Sequence, residues 1–374
     1  MLPGAFLRKS QLPGEYLNEF LALPDGHPVP PDDFLAVREK KVRQQLKRLK
    51  VEKATGPNEV SARVLKKCSD SPARPLTFII RLVLQTSRWP SCERFRHTAP
   101  LYKKNARSDP NSYRRVHLTG QISKVAERVI GKLSPPKLQQ SGVFGNRQFA
   151  YAIGRGHRDA LALSVLPWLL SMEKGNLVGL YCSDVSGAFD RVCEQRLAEK
   201  LNRTGHLLRS WLGPCVSVVV LDGQRSAPKP LRNSVYQGTV LGPPLWNVHY
   251  ADSSDTVQSE GFSEVIFADD LNCSKEFGNH ATERQIRAEL RGGQKALHRW
   301  GAASCVLFGP GTESFHCLHR TRSFGDDFKI LGVLFDCQLT MQAAAQEVAR
   351  ESGWKVRSLL WCRRFYTTPE LVKL

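Results

Sequence analysis

Acidic side chains are scarce in this 374-residue sequence: 35 Asp plus Glu face 54 Lys plus Arg, a formal charge of +19. Also missing is any apolar run of the ~20 residues that a bilayer-spanning helix needs. The best stretch, residues 161–170, is short and is broken by Ser164 and Pro167, which argues against a membrane partner. The opening MLPGAFLRKS lacks the apolar core of a signal peptide. Ten cysteines are scattered with no CxxC and no paired metal-ligand spacing. Neither a disulfide frame nor structural zinc is expected, and reduced thiols in an intracellular protein are. No internal repeat is visible, which sets aside solenoids and propellers.

What is present is a globular composition, 41% hydrophobic and 24% charged, able to bury a core. Its surplus of cations points to a polyanion, because positive charge beside phosphates releases condensed counterions. Nucleic acid is the first candidate, and a cationic surface kept for solubility is the competing explanation.

The segment LPDGHPVPPDDF at 23–34 has four prolines and reads as a loose arm over residues 1–33. A basic amphipathic helix follows, with Leu35, Val42, Leu46 and Leu49 on one face and Arg38, Lys40, Lys41, Lys47 and Arg48 on the others. Helical patterns recur around residues 60–68, 75–86 and 122–130. Residues 98–102 and 113–118 look like a hairpin with a polar tip and basic roots at Lys103, Lys104 and Arg114. The apolar run over 176–185 predicts a strand buried on both faces that ends at Asp184, with a helix from about Phe189. Residues 216–221 predict a second strand closed by the hairpin turn Asp222-Gly223. A third, 264–268, stops at Asp269 and Asp270 and returns through 271–277. A helix over 281–300 and a final strand over 329–335 complete an α+β pattern.

Three acids therefore stand at strand ends: Asp184, Asp269 and Asp270. Buried carboxylates are costly unless paired or bound to a cation, and carboxylate oxygens with substrate phosphates are the usual ligands of Mg²⁺. Two such ions ~3.5–4 Å apart can stabilise both oxygens of a phosphoryl displacement. A pair of turn or cap aspartates is the plainer alternative for Asp269-Asp270 by itself.

The surrounding blocks narrow the choice. In order they are ATGPN at 54–58, YRRVHLT at 113–119, GNRQFAY at 145–151, DVSGAFDRV at 184–192, QGTVLGPP at 237–244, FADD at 267–270 and KILGVLFD at 329–336. This series, over roughly residues 53–365, resembles the reverse transcriptase of non-LTR (LINE-type) retrotransposons. The resemblance implies a right-hand polymerase fold: fingers and first palm helices over 34–175, a palm with the catalytic sheet over 176–340, and the start of a thumb over 341–374. It implies RNA-directed DNA synthesis from dNTPs on an RNA template and a DNA primer, with Asp184, Asp269 and Asp270 as catalytic residues holding two Mg²⁺, or Mn²⁺. It also implies contacts to the incoming dNTP: Phe189 excluding a ribose 2′-hydroxyl, the Gln237-Gly238 loop lying against the nucleotide, and Lys103 and Arg114 gripping the triphosphate. Asp190 matches a family residue outside the metal set and reads as a salt bridge or cap. The 331–336 segment resembles a primer-gripping hairpin.

The chain departs from the family pattern at several points. Arg115 and Tyr236 stand where proline is usual, Asn58 replaces a frequent aspartate, and the FGPGTES segment at 308–314 lacks the lysine often found near Thr312. No endonuclease pattern precedes the polymerase blocks, and Leu374 falls inside what reads as thumb helix. The expectation is a partial retroelement polymerase. A catalytically inactive, polymerase-like RNA-binding protein or retroelement remnant is the alternative, and an RNA-templated RNA polymerase is disfavoured by Phe189.

Overall fold

The apolar runs of the sequence become strands of two larger sheets and a two-stranded hairpin. The computed structural model describes residues 37–103, 106–132, 139, 142–201, 206–231, 235–309, 311–365 and 367. The expected arm over 1–33 and Lys104 lie outside the described residues.

The chain begins with α1 (Glu39–Lys47), α2 (Ala62–Lys67) and α3 (Asp70–Thr86), followed by the strands β1 (Phe95–Tyr102) and β2 (Tyr113–Leu118) and the helix α4 (Gln121–Ile130). Next come α5 (His157–Glu173), β3 (Leu177–Ser183), α6 (Glu194–Leu201) and α7 (His206–Leu212), then β4 (Cys215–Leu221), β5 (Gln224–Arg225) and β6 (Lys229–Leu231). The rest is α8 (Gly242–Tyr250), α9 (Ser253–Ser259), β7 (Ser263–Phe267), β8 (Asp270–Phe277), α10 (Glu283–Ser304), β9 (Ser314–Leu318), β10 (Phe328–Ile330), β11 (Val333–Phe335) and α11 (Gln342–Cys362).

One sheet runs β7-β8-β3-β9, every pair antiparallel. Its central strand β3 is buried along its whole length, because both faces are covered. Leu177 and Tyr181 join Ile286 and Leu290 of α10 in the main core, whereas Val178, Leu180 and Cys182 pack with Trp168 and Met172 of α5 in a second one. Each such aliphatic side chain contributes ~1.5–3 kcal/mol when fully buried. Gly179 is required here, since a Cβ would come within 2.8 Å of Phe277 and 3.1 Å of Ile286.

The other sheet pairs β1 with β2 as the expected hairpin, from His97 opposite Leu118 to Tyr102 opposite Tyr113. On its other side β1 runs parallel to β4, with Phe95 opposite Val216 and Thr98 opposite Val219. The turn from β4 to β5 has φ of 49° at Asp222 and 77° at Gly223, the two left-handed residues that a type I′ turn demands. The basic helix α1 buries Val42 and Leu46 and leaves Lys40, Lys41, Lys47 and Arg48 exposed.

Two elements differ from the sequence reading. The helix expected from Phe189 is a single 3-10 turn, Ala188–Asp190, entered through left-handed Gly187 at φ 69°, and the α-helix waits until Glu194. The strand expected over 329–335 is a hairpin, β10 against β11, that turns at Leu331 (φ 51°) and Gly332 (φ 82°). Helix α11 buries none of its residues. Among the described residues no helix is long and apolar enough to cross a membrane.

Candidate active site

Register brings the three acids together. In the β3–β8 ladder Cys182 faces Asn272 and Ser183 faces Leu271, so Asp184, one residue past the end of β3, and Asp270, the first residue of β8, leave the ladder at the same end. Asp270 itself faces Phe267 across the β7–β8 hairpin, leaving Ala268 and Asp269 as a two-residue loop at its tip. Residues far apart in the chain thus lie at the same end of this sheet.

Their charges register the proximity. Burial first, then the charge of Asp184, pushes the Asp269 carboxyl up to about 6. Burial, then Asp269 and Asp184, raises Asp270 to about 6 as well. Lys103 and Arg114 pull Asp269 the other way, which puts the cations of the β1–β2 hairpin within electrostatic reach of the acids. Among the described residues no three His, Cys, Asp or Glu side chains are drawn tightly enough together to cage an ion as placed. The donor chemistry nevertheless suits one: hard oxygen ligands, partly buried, whose mutual repulsion a divalent cation would relieve.

The loop that carries Asp269 is itself constrained. Ala268 has φ 61°, a left-handed conformation that normally calls for glycine. Its N–H donates to Gln148 Oε1 at 2.9 Å, and its carbonyl accepts from Gln148 Nε2 at 3.2 Å and from Trp246 Nε1 at 2.9 Å. Gln148 and Trp246 are buried, and the sequence singled out neither. Gln148 arrives on residues 147–149, which add a short parallel segment to the β7 edge through Ile266 N to Arg147 O and Phe149 N to Ile266 O. Two residues on lies half-exposed Tyr151 (φ 56°), whose phenol is pushed up by burial and then by the charge of Asp269, with Arg114 acting the other way.

Phe189 lies in the 3-10 turn after Asp184 with its ring stacked on Trp246, centroids 5.8 Å apart. Trp246 stacks in turn on Tyr250 at 5.1 Å. One buried indole thus touches both the Phe189 ring and the carboxylate loop. The Gln237-Gly238 loop rests on β2: Gln237 O accepts from His117 N at 2.8 Å, and a Cβ on Gly238 (φ 93°) would meet Val116 at 2.9 Å. Val235 N donates to Phe189 O at 2.9 Å, joining this loop to the Phe189 turn.

The departures are absorbed structurally. Arg115 is buried and pairs with Asp190, the salt-bridge role expected for that acid. Tyr236 lies fully buried beneath the Arg96 guanidinium, 3.6 Å from its ring centre, with its hydroxyl on Leu212 O. In the segment lacking a lysine, Gly309 N donates to Asp184 O and Thr312 folds back onto Gly309 O, so the turn braces Asp184 but brings no cation.

A family model described as "Reverse transcriptase (RNA-dependent DNA polymerase)" matches residues 102–301. The RNA-directed DNA polymerase from mobile element jockey of Drosophila melanogaster is 25% identical over 92% of this chain and 40% of its own length. The Pol polyprotein from type-1 retrotransposable element R1 of Bradysia coprophila is 27% identical over 76% of this chain and 28% of its own. A solved apo telomerase from Candida tropicalis, truncated from its C-terminal domain, aligns with a TM-score of 0.47 and 9% identity over 68% of this chain and 55% of that one. The chain thus spans well under half the length of the curated relatives it matches.

Proposed function

The chain belongs to the reverse transcriptase family, within its non-LTR retrotransposon branch, and on that footing we propose that it is a nucleotidyltransferase extending a DNA primer along an RNA template. Its α+β architecture is that of the right-hand polymerases. The fingers hairpin is β1–β2 and the palm sheet is β7-β8-β3-β9.

Asp184, Asp269 and Asp270 would hold two Mg²⁺ ions, and Mn²⁺ would suit the same oxygens. When bound, such ions lower the pKa of the primer 3′-hydroxyl and stabilise the departing pyrophosphate. The protein's own part is placement. Arg114, whose guanidinium can bind phosphate bidentately, and Lys103 hold the triphosphate over Asp269. Phe189, backed by Trp246, fills the space that a ribose 2′-hydroxyl would need. The Gln237-Gly238 loop, set on β2, closes the nucleotide site on its other side. Orienting the primer oxygen against the α-phosphorus in this way turns a bimolecular reaction into an effectively unimolecular one.

One observation supports the reading: Asp184 and Asp270 leave the β3–β8 ladder at the same end, with Asp269 at the adjoining tip under the charges of Asp184, Lys103 and Arg114. Primer extension on poly(rA)/oligo(dT) with Mg²⁺ tests it. Asp269→Asn should abolish incorporation while leaving folding and RNA binding intact, and a purified variant that extends at the parent's rate refutes the assignment.

A further inference from the structure

Asp269 is aimed by a residue it does not touch. Ala268, the residue before it, occupies left-handed backbone space that costs an alanine ~1–2 kcal/mol. A strained peptide of this kind persists only where its surroundings over-determine it. Here the Gln148 amide takes both polar groups of Ala268, accepting from its N–H and donating to its carbonyl. The same Oε1 also accepts from Ala150 N at 3.0 Å, and Ala150 O is held by Asn247 Nδ2 at 2.8 Å, so the clamp is anchored on α8. Trp246 Nε1 adds the third bond to the loop. Gln148 is 3% exposed and Ala268 8%, so water cannot replace these partners.

We propose that Gln148 is a positioning residue for the reaction: its side-chain amide fixes the left-handed Ala268 peptide and thereby the direction of the Asp269 and Asp270 carboxylates. The proposal rests on the polymerase reading for its kinetic consequence, but the grip on Ala268 stands apart from it. A sheet-edge residue with a merely structural role would, when replaced, lower stability and leave each folded molecule fully competent. A positioning residue changes the folded molecule itself, since displacement by ~1 Å can cost 10²-fold in rate.

Gln148→Met keeps length and bulk but removes both hydrogen-bonding faces. Ser210→Ala on α7, which deletes the partner of Trp89 N and Arg94, serves as a control for general destabilisation. In Gln148→Met, amide hydrogen exchange in the 266–271 segment should quicken ~10-fold beyond any global change, and Mn²⁺ affinity of the nucleic-acid-free protein should fall ~10-fold. The kcat per titrated active site should drop ~10²-fold with the dNTP KM within ~3-fold of the parent's. Trp246→Phe, which keeps the ring stack but loses the Nε1 bond, should show the same exchange signature in weaker form. Exchange, Mn²⁺ affinity and kcat in Gln148→Met no different from those of Ser210→Ala would overturn the proposal. A parent protein that incorporates no dNTP would sink the polymerase reading alone, with the exchange and Mn²⁺ measurements still deciding the role of Gln148.

Discussion

Arg115 Nη2 lies 2.6 Å from Asp190 Oδ2, tying the β1–β2 hairpin to the turn that presents Phe189. Arg115 is 3% exposed, so its charge lies in the interior beside its partner. Removing one member of a buried pair costs ~3–5 kcal/mol because the other charge is stranded. Asp190 is 20% exposed, so Asp190→Asn should cost the lower end of that range, about 3 kcal/mol in urea unfolding. Replacing both residues together, Arg115→Met with Asp190→Leu, should recover most of the loss. A double variant as unstable as Asp190→Asn would show that the pair is not the cause.

The acid cluster makes stability depend on pH and on divalent cations. Asp269 and Asp270 have folded-state values raised to about 6 from 3.8. Groups raised in this sense favour the folded state most below the unfolded value, and their contribution is lost as pH climbs through the folded value. Without divalent ions, the parent should therefore lose thermal stability relative to Asp269→Asn between pH ~4 and ~6. Mg²⁺ should raise the parent's Tm more at pH ~8 than at pH ~5, since only ionised carboxylates bind it. Equal Mg²⁺ shifts at both ends, or an equal shift in Asp269→Asn, would count against a carboxylate metal site.

Phe189 offers a readout of sugar selection. A ring held by Trp246 cannot swing aside freely, so Phe189→Ala should admit ribonucleotides by opening the space beneath the sugar. The ratio of kcat/KM for dNTP over rNTP should fall by about 10²-fold, the scale on which pocket shape discriminates a single group. An unchanged ratio would return Phe189 to a packing role.

The turn at 309–312 invites a gain of function. Thr312 is exposed on a segment whose Gly309 N–H holds the Asp184 carbonyl, and residues 308–314 carry no cation of their own. A cation that helps protonate the leaving pyrophosphate contributes ~10²- to 10⁴-fold where it acts as general acid. Thr312→Lys should raise the single-turnover incorporation rate by ~10-fold and give it a new alkaline limb near the lysine pKa. A faster rate without that limb would indicate simple charge attraction.

Much of this architecture could be read from residue order, and the exceptions have physical reasons. The run before Asp184 declared a strand buried on both faces because it has no alternation, and Asp222-Gly223 declared its turn because both residues tolerate positive φ. The 3-10 turn at Phe189 was hidden because Ala188, Phe189 and Asp190 are too few to show a period, and the delay to Glu194 depends on the left-handed Gly187. Leu331 misled because a leucine at φ 51° carries no turn signal of its own. The parallel pairing of β1 with β4 joins segments more than a hundred residues apart, and local sequence carries no mark of it. Gln148 looks like an ordinary member of its block, and Trp246 lies just past the end of one. A buried amide side chain beside a strand edge was the one signal that could have exposed Gln148, and burial is not written in spacing.

The weld between β1 and β4 also divides the hairpin. Phe95 to Thr98 are locked into a parallel ladder with β4, while Leu101 and Tyr102 pair with Arg114 and Tyr113 of β2, and Tyr113 packs against the main core. The root of the hairpin is thus held on two strand edges, and its described outer reach on one edge and the Tyr113 ring. Arg114 therefore takes its place from two neighbours at once, Leu101 across the ladder and the core-packed Tyr113 beside it in the chain.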